Sequence, residues 1–311
     1  MKIIYKLSLL VLCSLIYNNG LSQDLEPRAI NNLPIGTNFI IGGYGYAKGN
    51  ILLDPGLHID DLNSNLHSGF AAYIRSINFF GLSAKVDAIM PYVIGDWDGN
   101  VEGLDSNRSQ NGLGDIRVRF SFNFLGSQAM NVEDFQNYNP EKVSGLSLQI
   151  IAPTGAYDSD RLINIGSNRW AFKTQWGFAR NYNKWVIESY LGVWFFTNNS
   201  NFFDGNKLSQ EPLYTIKAHV IRKLPKKMWL SLNLGYGIGG KTKVNDLPRD
   251  SEISTMRLGL LYALPLAKQH TIRFAYITGI RFNKGGDFDA FSLSYQYRWN
   301  NQLKKKQSNK N

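Results

Sequence analysis

The chain has few of the residues on which many functional sites and membrane anchors depend. Cys13 is the only cysteine among 311 residues, which excludes a disulfide framework, a cysteine-based zinc site and a thiol nucleophile from the rest of the chain. After residue 20, no apolar run reaches the roughly 18 residues that a membrane-spanning helix needs, so a polytopic helical membrane protein is excluded. Charged residues make up only 19% and aromatic residues 13% of the chain, a composition too apolar and too aromatic for a disordered protein.

The N-terminus has the pattern of a secretory signal peptide. Lys2 and Lys6 precede an apolar run at 7–17, and small residues mark a cleavage site after Ser22. An uncleaved anchor helix is the alternative, which the shortness of the apolar run disfavours. We therefore predict that the mature chain is exported, and its lack of cysteine favours a Gram-negative bacterium over a eukaryotic secretory pathway.

Alternation of apolar and polar residues with period two recurs along the chain, whereas helical periodicity is nearly absent. In an extended strand, such alternation places the apolar side chains on one face and the polar side chains on the other. The pattern predicts twelve strands, at 37–48, 67–77, 83–94, 116–124, 145–153, 169–180, 185–196, 213–222, 228–236, 253–264, 271–282 and 291–299. Which face points inward is ambiguous within 37–48, 145–153 and 185–196, where apolar residues interrupt the alternation.

The links between the predicted strands are alternately long and short, with one exception at 125–144. Outer-membrane barrels have short periplasmic turns and long outer loops, whereas a secreted β-sandwich, the main alternative, has no reason to keep this rhythm. Because a sheet can cross hydrocarbon only by closing on itself, we predict an all-β fold, a 12-stranded antiparallel transmembrane β-barrel of the outer-membrane type. The exceptional link is predicted to hold a short periplasmic helix capped by Asn131.

This prediction divides the chain and suggests its partners. The expected parts are a signal peptide at 1–22, a periplasmic N-terminal segment at 23–36, the β-barrel at 37–299 and a basic polar tail at 300–311. Aromatic residues near strand ends are expected to form interfacial girdles, namely Trp97, Trp170, Tyr182, Trp185, Phe195, Phe196, Trp229 and Trp299. The expected partners are outer-membrane lipid, the barrel-assembly machinery and a small-molecule solute. Nucleic acid is not expected, because much of the net charge of +10 lies in the signal peptide and the tail.

Cations predominate among the ionisable residues on the polar face of the predicted strands. Because such side chains are costly on a lipid face, we expect the following residues to point inward: Arg75, Lys85, Asp87, Arg117, Arg119, Lys173, Glu188, Lys217, His219, Arg257, Arg273, Arg281 and Arg298. We assign the solute path to nine of them, namely Lys85, Asp87, Arg117, Arg119, Glu188, Lys217, Arg257, Arg273 and Arg298.

Two interpretations of this lumen stay open. One is a polar channel whose cationic lining favours anionic or dipolar solutes. The other is a lumen plugged by a charge network in which Asp87 and Glu188 neutralise part of the arginine excess. If the lumen is open, replacing Arg117 and Arg119 together with Gln should reduce anion preference and leave folding intact, unless Asp87 or Glu188 is left unpaired.

No catalytic site and no metal site can be assembled from residue spacing. The histidines His58, His67, His219 and His270 are far apart, and no two have metal-ligand spacing on one element. No Ser–His–acid trio can be assembled either, and the glycine-rich stretch 235–239 is not followed by a predicted helix. We therefore expect no enzyme and no cofactor.

Five short strings along the chain indicate a family. They are Gly95-Asp-Trp97, Gly112-Leu-Gly-Asp115, Pro153-Thr-Gly-Ala-Tyr-Asp158, Asn164-Ile-Gly-Ser-Asn-Arg-Trp-Ala-Phe172 and Gly192-Val-Trp-Phe-Phe-Thr197. With them, residues 28–299 resemble the outer-membrane transporter family named for the meta-pathway of phenol degradation. The resemblance implies an outer-membrane barrel that admits small, often aromatic, solutes. The chain departs from the usual barrel ending, because residues 300–311 follow Trp299.

Several residues of these strings lie where predicted strands meet outer loops, namely Gly95, Asp96, Trp97, Gly112, Gly114 and Asp115. Glycine permits turn conformations there, and the Asp115 carboxylate can accept backbone N–H groups. A conformational role is favoured over solute binding. The predicted function is a channel or transporter for small solutes, aromatic or anionic ones among them. The alternatives are a structural or surface-interaction barrel with a plugged lumen and, less favoured, an outer-membrane enzyme.

Overall fold

Antiparallel strands close into a barrel in this computed structural model, which describes residues 25–51, 60–101, 104–281 and 288–301. In chain order the strands are β1 (Thr37–Gly49), β2 (Asp60–Phe79), β3 (Leu82–Val101), β4 (Leu104–Leu113), β5 (Ile116–Leu125), β6 (Lys142–Ala152), β7 (Ala171–Asn181), β8 (Trp185–Phe196), β9 (Asn199–Phe202), β10 (Asn206–Gln210), β11 (Leu213–Lys223), β12 (Trp229–Gly239), β13 (Thr242–Val244), β14 (Leu247–Pro248), β15 (Ile253–Pro265), β16 (His270–Arg281) and β17 (Phe288–Asn300). The predicted signal peptide, His58 and the tail from residue 302 lie outside the described residues.

The barrel closes because its first strand pairs with its last. β1 pairs with both β17 and β2, and β3 pairs with both β2 and β5. The ring contains twelve strands, in the order β2-β1-β17-β16-β15-β12-β11-β8-β7-β6-β5-β3, and the β2–β3 pairing completes it. This confirms the predicted 12-stranded barrel, and each predicted strand overlaps one strand of the ring.

Strands outside the ring come from the long links. β2 and β3 extend past their predicted bounds, and β4 pairs with the extended part of β3. β4 and β5 pair with the same strand in registers that differ by one residue, which marks a bulge at Gly114 and Asp115. β9, β10, β13 and β14 form a separate four-stranded sheet built from the links after β8 and β12. These short strands lack the long alternating pattern from which the ring was predicted.

The two ends of the barrel differ. At the short-turn end, β2–β3, β7–β8, β11–β12 and β15–β16 are joined by brief turns. The helix α1 (Val132–Phe135) lies in the link between β5 and β6, and Asn131 Oδ1 accepts from the backbone N–H groups of Glu133 and Asp134 at 2.8 and 3.0 Å, as the sequence predicts. Neither α1 nor any other helix in the described part of the chain is long and apolar enough to span a bilayer. We call the opposite end the long-loop end.

Side chains alternate between lipid and lumen as the period-two pattern requires. Along β11, Thr215, Lys217 and His219 are buried in the lumen, whereas Ile216 and Val220 are exposed on the outer face. The ambiguous strands follow the same rule. Ile40 is 53% exposed and faces outward, but its neighbour Ile41 is 8% exposed and faces inward. In β8 the outer face carries Trp185, Ile187, Leu191 and Phe195.

The predicted aromatic girdles need a correction. Trp97 and Trp229 are buried inside the barrel and Phe196 packs against the buried Trp194, whereas Trp170, Tyr182, Trp185 and Phe195 are exposed. Position near a strand end does not determine the face, which depends on the phase of the alternation. Arg75 also departs from prediction, because it lies on the exposed outer face near the short-turn end. From there its long side chain can extend from the apolar surface to water.

The interior of the barrel is filled rather than empty. Near the long-loop end, an apolar cluster contains Ile51, Leu62, Leu66, Val93, Trp97, Ile165 and Phe288. Near the short-turn end, a second cluster contains Ile30, Val143, Ala179, Val186, Tyr190, Ile221, Trp229 and Ala263. Buried charged and polar side chains also line the lumen, including Asp87, Arg119, Lys173, Glu188, Lys217 and His219. Ile30 in the second cluster precedes the first strand, so part of the filling is supplied by the N-terminal segment.

Candidate functional site in the barrel lumen

Residues 25–36 enter the lumen before the chain forms β1. Leu25 and Ile30 are 7% and 4% exposed, and Ile30 packs in the apolar cluster with Tyr190 and Trp229 from the barrel wall. The prediction of a periplasmic N-terminal segment is therefore wrong for the described part that lies within the barrel. The segment lies in the lumen because it supplies an apolar side chain and the polar groups that buried wall residues need as partners.

Arg119 is the centre of the charge network between the wall and this segment. Its Nη1 and Nη2 donate to the two carboxylate oxygens of Glu26 at 2.8 and 3.1 Å. Its Nε donates to Asp87 Oδ2 at 2.9 Å. Both wall residues are buried, so one guanidinium bridges a carboxylate of the wall and a carboxylate of the N-terminal segment.

Glu188 binds the same segment as an acceptor of hydrogen bonds, whereas Arg119 binds it as a donor. The backbone N–H of Arg28 donates to Glu188 Oε2 at 2.7 Å, and Tyr190 OH donates to the same oxygen at 2.9 Å. The guanidinium of Arg28 lies over the Trp229 ring, 5.4 Å from its centroid. The acidic wall residue and the acidic segment residue Glu26 thus each find a donor across the same boundary.

Side chains of the wall also donate hydrogen bonds to backbone and side-chain carbonyls of the segment. Lys85 Nζ donates to the carbonyl oxygens of Ala29 and Asn31. Asn123 Nδ2 donates to the Ile30 carbonyl at 2.8 Å. Asn32 Oδ1 accepts from Asn123 Nδ2 at 2.8 Å and from Ser127 Oγ at 2.5 Å. These bonds replace the hydration that an irregular segment would lose inside a barrel.

The other predicted lumen residues share the inner face but do not all contact the described part of the segment. Lys217 lies over the Tyr190 ring at 5.6 Å, Lys173 over Trp194 at 5.0 Å and Arg257 over Phe288 at 4.7 Å. Arg273 Nη2 donates to Gln296 Oε1 at 2.6 Å.

Two arginines and one histidine complete the predicted set. Arg117 is half-buried on the inner face, one step along β5 from Arg119. Arg298 has the inward phase but is exposed at the short-turn end, where Nη2 donates to the Lys268 carbonyl at 2.8 Å. His219 is fully buried and its Nδ1 lies 2.8 Å from Asn233 Oδ1. The side chain of Arg281 is outside the described residues.

Asp115 joins three of the sequence strings at the long-loop end. Its Oδ1 accepts from the Gly155 N–H at 2.8 Å, and its Oδ2 accepts from the Ser167 N–H and Oγ at 2.9 and 2.7 Å. Gly155 and Gly166 approach so closely that a Cβ on Gly166 would lie 2.7 Å from the Gly155 carbonyl carbon. This geometry is that of a conformational clamp.

The remaining string residues serve packing at the same end. A Cβ on Gly95 would lie 2.3 Å from the Trp97 ring, so the glycine makes room for that buried indole. Trp97 Nε1 donates to the Ile51 carbonyl at 2.9 Å. Asp96 points outward and accepts from Ser109 Oγ at 2.6 Å. Gly112 has φ +159°, and a Cβ there would lie 2.6 Å from the Ala156 side chain; the Gly114 N–H donates to the Pro91 carbonyl at 2.9 Å.

A cavity of about 180 Å³ opens among the outer segments above Trp97. Its apolar walls come from Leu62, Trp97, Leu162, Ile163 and Phe203, and its polar lining includes Asn107, Arg108, Asp160 and Arg161. Arg108 also faces Asp158 at 3.6 Å. Within the described ranges, no group of three or more metal-ligating side chains is close enough to hold an ion.

Sequence reasoning missed Glu26, Arg28, Ile30 and Asn32, which hold the segment in the lumen. The order of these four residues in the sequence could have indicated their position in the lumen. An acidic, a basic, an apolar and an amide residue stand within seven positions just before the first strand of a barrel whose lining is rich in charge. Such a stretch suits a polar interior better than a solvated linker.

Comparisons with known proteins agree with this architecture. A family model described as "MetA-pathway of phenol degradation" matches residues 49–297. The crystal structure of an outer membrane channel from Pseudomonas putida F1 is similar with a TM-score of 0.74 and 16% identity, covering 89% of this chain and 100% of that chain, and at this identity the similarity shows the fold.

More distant similarities include the NanC porin, with a TM-score of 0.47, 6% identity and coverage of 83% of this chain and 98% of that chain. The CymD monoaromatic hydrocarbon channel has a TM-score of 0.43, 9% identity and coverage of 91% and 94%. No argument is based on these two. A search of curated proteins found no match.

Proposed function

Because the chain belongs to the family described as "MetA-pathway of phenol degradation", we propose that it is an outer-membrane channel for small apolar or aromatic solutes. The fold supports this proposal, since the chain forms an outer-membrane-type barrel similar to a known channel. In this proposal the signal peptide is cleaved after Ser22, the barrel-assembly machinery inserts the chain, and the short-turn end faces the periplasm. No chemical step is assigned to the barrel, whose fold is similar to that of an outer membrane channel.

The observation that carries the proposal is the way in which the lumen is closed. Residues 25–32 occupy the lumen through hydrogen bonds and ion pairs to single wall residues, and strand pairing with the wall begins only at β1. A segment held in this way can leave the lumen without opening the ring. The solute path therefore runs along Lys85, Asp87, Arg119 and Glu188 when the segment moves, with Arg117, Lys217, Arg257 and Arg273 on the same inner face.

The two apolar clusters in the lumen favour a weakly polar solute over an ion. The cavity at the long-loop end has aliphatic and aromatic walls beside the buried Trp97 and a polar side that includes Arg108 and Asp160. An apolar cavity of about 150 Å³ is large enough to hold benzene, so this entrance has the dimensions of a single substituted ring. The charged network lies further inside, where the segment supplies partners to Arg119 and Glu188.

A covalent lock tests whether solute passage requires movement of the segment. A Cβ on Gly177 would lie 3.1 Å from Ile30 Cγ2, so Ile30→Cys with Gly177→Cys should form a disulfide after a shift of the nearby Tyr190 ring. Asn32→Cys with Ser127→Cys provides a second lock at two side chains already in contact. Cys13 is the only native cysteine and lies in the predicted signal peptide, so no other thiol should compete.

The measurement is accumulation of radiolabelled naphthalene by porin-depleted Gram-negative cells that carry each variant. Oxidised variants should fall to the level of cells without the protein, and a reductant should restore uptake. Single-cysteine variants are the controls. Equal uptake in the oxidised and reduced states would show that the segment need not move. If cells that carry the wild-type protein take up no more naphthalene than cells without it, the channel proposal is wrong.

A filled lumen also favours one second candidate, a structural or surface-interaction barrel. Its binding surface would be the long-loop end, where the sheet of β9, β10, β13 and β14 is joined to the loop 154–170. Tyr157 OH donates to the Asn201 carbonyl at 3.1 Å, and the Asp204 N–H donates to the Ser159 carbonyl at 3.1 Å. Background naphthalene uptake in a correctly folded wild-type barrel would favour this candidate.

A further inference from the structure

The short-turn end of the barrel is strongly basic. Its described cations are Arg75, Lys142, Arg180, Lys184, Arg222, Lys223, Lys226, Lys227, Lys268 and Arg298, whereas its described acids are Glu133, Asp134 and Glu141. The excess is concentrated on neighbouring elements, from the start of β6 through the β7–β8 turn to the β11–β12 turn. We call Lys142, Arg180, Lys184, Arg222, Lys226 and Lys227, with Tyr182 and Trp185 between them, the basic belt.

The belt faces outward at the edge of the apolar wall. Tyr182 and Trp185 are 43% and 42% exposed, and the buried neighbour Ile221 places Arg222 on the outer face of β11. The Arg222 guanidinium lies over the Trp185 ring at 4.5 Å, and that of Arg180 lies over the Tyr182 ring at 5.2 Å. Aromatic rings at this position sit at headgroup level in outer-membrane barrels, so the stacked cations are held at the same depth.

Strand register makes the belt continuous. Lys142 is the cross-strand partner of Arg180, and Trp185 is the partner of Arg222. Arg180 is already paired with Glu141, with Nη2 and Oε1 2.8 Å apart, whereas the described residues show no carboxylate ion pair for Arg222, Lys226 or Lys227. The β11–β12 side of the belt therefore carries positive charge that its described surroundings do not neutralise.

The β11–β12 turn gives independent support. Lys226 and Lys227 are exposed and have φ values of +54° and +62°, in the left-handed region that favours glycine and asparagine. A residue that has a Cβ is strained in this region relative to right-handed backbone. Two lysines kept in a turn where Asn-Gly would be less strained indicate a role for their charge.

We propose that the basic belt binds the phosphate headgroups of anionic phospholipid in the leaflet that surrounds the short-turn end. Arginine and lysine bind phosphate through charge-assisted hydrogen bonds, and clustered cations beside a membrane interface attract anionic lipid. Neither the solute nor the movement of the N-terminal segment enters this proposal. It rests on the outer-membrane barrel fold and on the outward face of these strands.

The test uses the intact barrel in nanodiscs of phosphatidylethanolamine and phosphatidylglycerol. Lys184, Arg222, Lys226 and Lys227 are replaced together by Gln. The matched control replaces Lys207, Lys241, Lys243 and Arg249 by Gln in the outer sheet and its adjoining turns, so that the same charge is removed at the other end. Native mass spectrometry then counts the phosphatidylglycerol molecules that stay bound after mild detergent extraction.

Retention of phosphatidylglycerol should fall at least about tenfold in the belt variant and stay unchanged in the control, because each surface cation contributes about 1 kcal/mol of attraction to anionic lipid. Retention of phosphatidylethanolamine should not change. Equal loss in both variants would mean that net charge alone is responsible and would overturn the proposal. Displacement of the lipid by millimolar inorganic phosphate, or preferential binding of lipopolysaccharide, would overturn it as well.

A turn variant separates lipid binding from folding. Lys226→Asn with Lys227→Gly relieves the left-handed strain, so its thermal stability in neutral detergent should equal or exceed that of the wild type. The same variant should retain severalfold less phosphatidylglycerol. A variant that is as stable as the wild type and retains as much phosphatidylglycerol would show that the two lysines play no part in the belt.

Discussion

Arg119 shows how one side chain decides whether the lumen is filled. Its guanidinium has two carboxylate partners, Asp87 on the neighbouring strand and Glu26 on the N-terminal segment. Burial of one charge without the other would be costly, because water cannot replace the missing partner. Asp87 accepts from Nε, so the Nη1 and Nη2 groups of this buried guanidinium still need an acceptor, which Glu26 of the segment supplies.

Replacing Arg119 by Met should weaken both the barrel and its closure. Removal of one member of a buried pair costs about 3–5 kcal/mol, since Asp87 is left buried without its cation. We expect a lower unfolding temperature and a higher single-channel conductance. Arg298→Met is the matched control, because Arg298 is exposed and its side chain bonds to one backbone carbonyl. A stable variant with wild-type conductance would contradict this role.

A compensating variant separates stability from closure. Arg119→Met with Asp87→Leu removes the wall pair as a unit, so the unfolding temperature should recover towards that of the wild type. Conductance should stay raised, because Glu26 still lacks its partner on the wall. Recovery of both properties would mean that Glu26 does not hold the segment.

At the scale of elements, sequence alone predicted the ring of twelve strands because lipid and lumen impose opposite polarity on alternate residues. β11, β12 and β17 show this alternation over most of their length. The same argument fails where neither face contacts lipid. β4 and the sheet of β9, β10, β13 and β14 are placed by contacts between loops, which no local pattern encodes.

The N-terminal segment escaped prediction for a related reason. It has no regular secondary structure, and its position depends on partners such as Lys85, Arg119 and Glu188, which lie 54 to 160 residues away in sequence. The inward phase of Arg119, Glu188 and Lys217 follows from alternation, but alternation cannot tell whether water or chain fills the space between them. The sequence predicts intact folding after Arg117→Gln with Arg119→Gln only if no wall acid is left unpaired. Because Asp87 pairs with Arg119, we now expect this double variant to be destabilised.

The Asp115 clamp makes a prediction about the outer loops. Asp115→Ala removes the acceptor for Gly155 and Ser167, so the loop 154–170 should detach from the rim. Trypsin should then cut faster at Arg161, which is exposed, while the unfolding temperature of the ring changes little. Asp96→Ala is the control, because the Asp96 side chain bonds to Ser109 on the outer side. Unchanged cleavage would show that other contacts hold the loop.

For the whole molecule, the distribution of charge links closure to selectivity. The wall contributes the cations Lys85, Arg117, Arg119 and Lys217 and the acids Asp87 and Glu188 to the inner face, whereas the segment adds one acid, Glu26, and one base, Arg28. The net positive charge of the lining therefore does not depend on the segment. A narrow tube of low dielectric concentrates the ion of opposite charge. Removal of the segment should therefore raise the conductance and free Arg119 from Glu26, and the wider pore should prefer anions because its lining stays net positive.

Deletion of residues 25–34 should convert the barrel into a larger and anion-preferring pore. The first strand begins at Thr37 and keeps its pairing with β2 and β17, so the ring should still form. The measurement is the reversal potential in a KCl gradient across a planar bilayer, and the preference should weaken at high salt because charges are screened. In the deletion background, Lys217→Gln should reduce the preference. Lys227→Gln should not, because Lys227 lies in the exposed β11–β12 turn at the short-turn end and outside the lumen. If the deletion cannot be refolded, Glu26→Ala in the full chain should give the same change to a smaller extent. Cation preference in either variant would show that ions bypass these side chains.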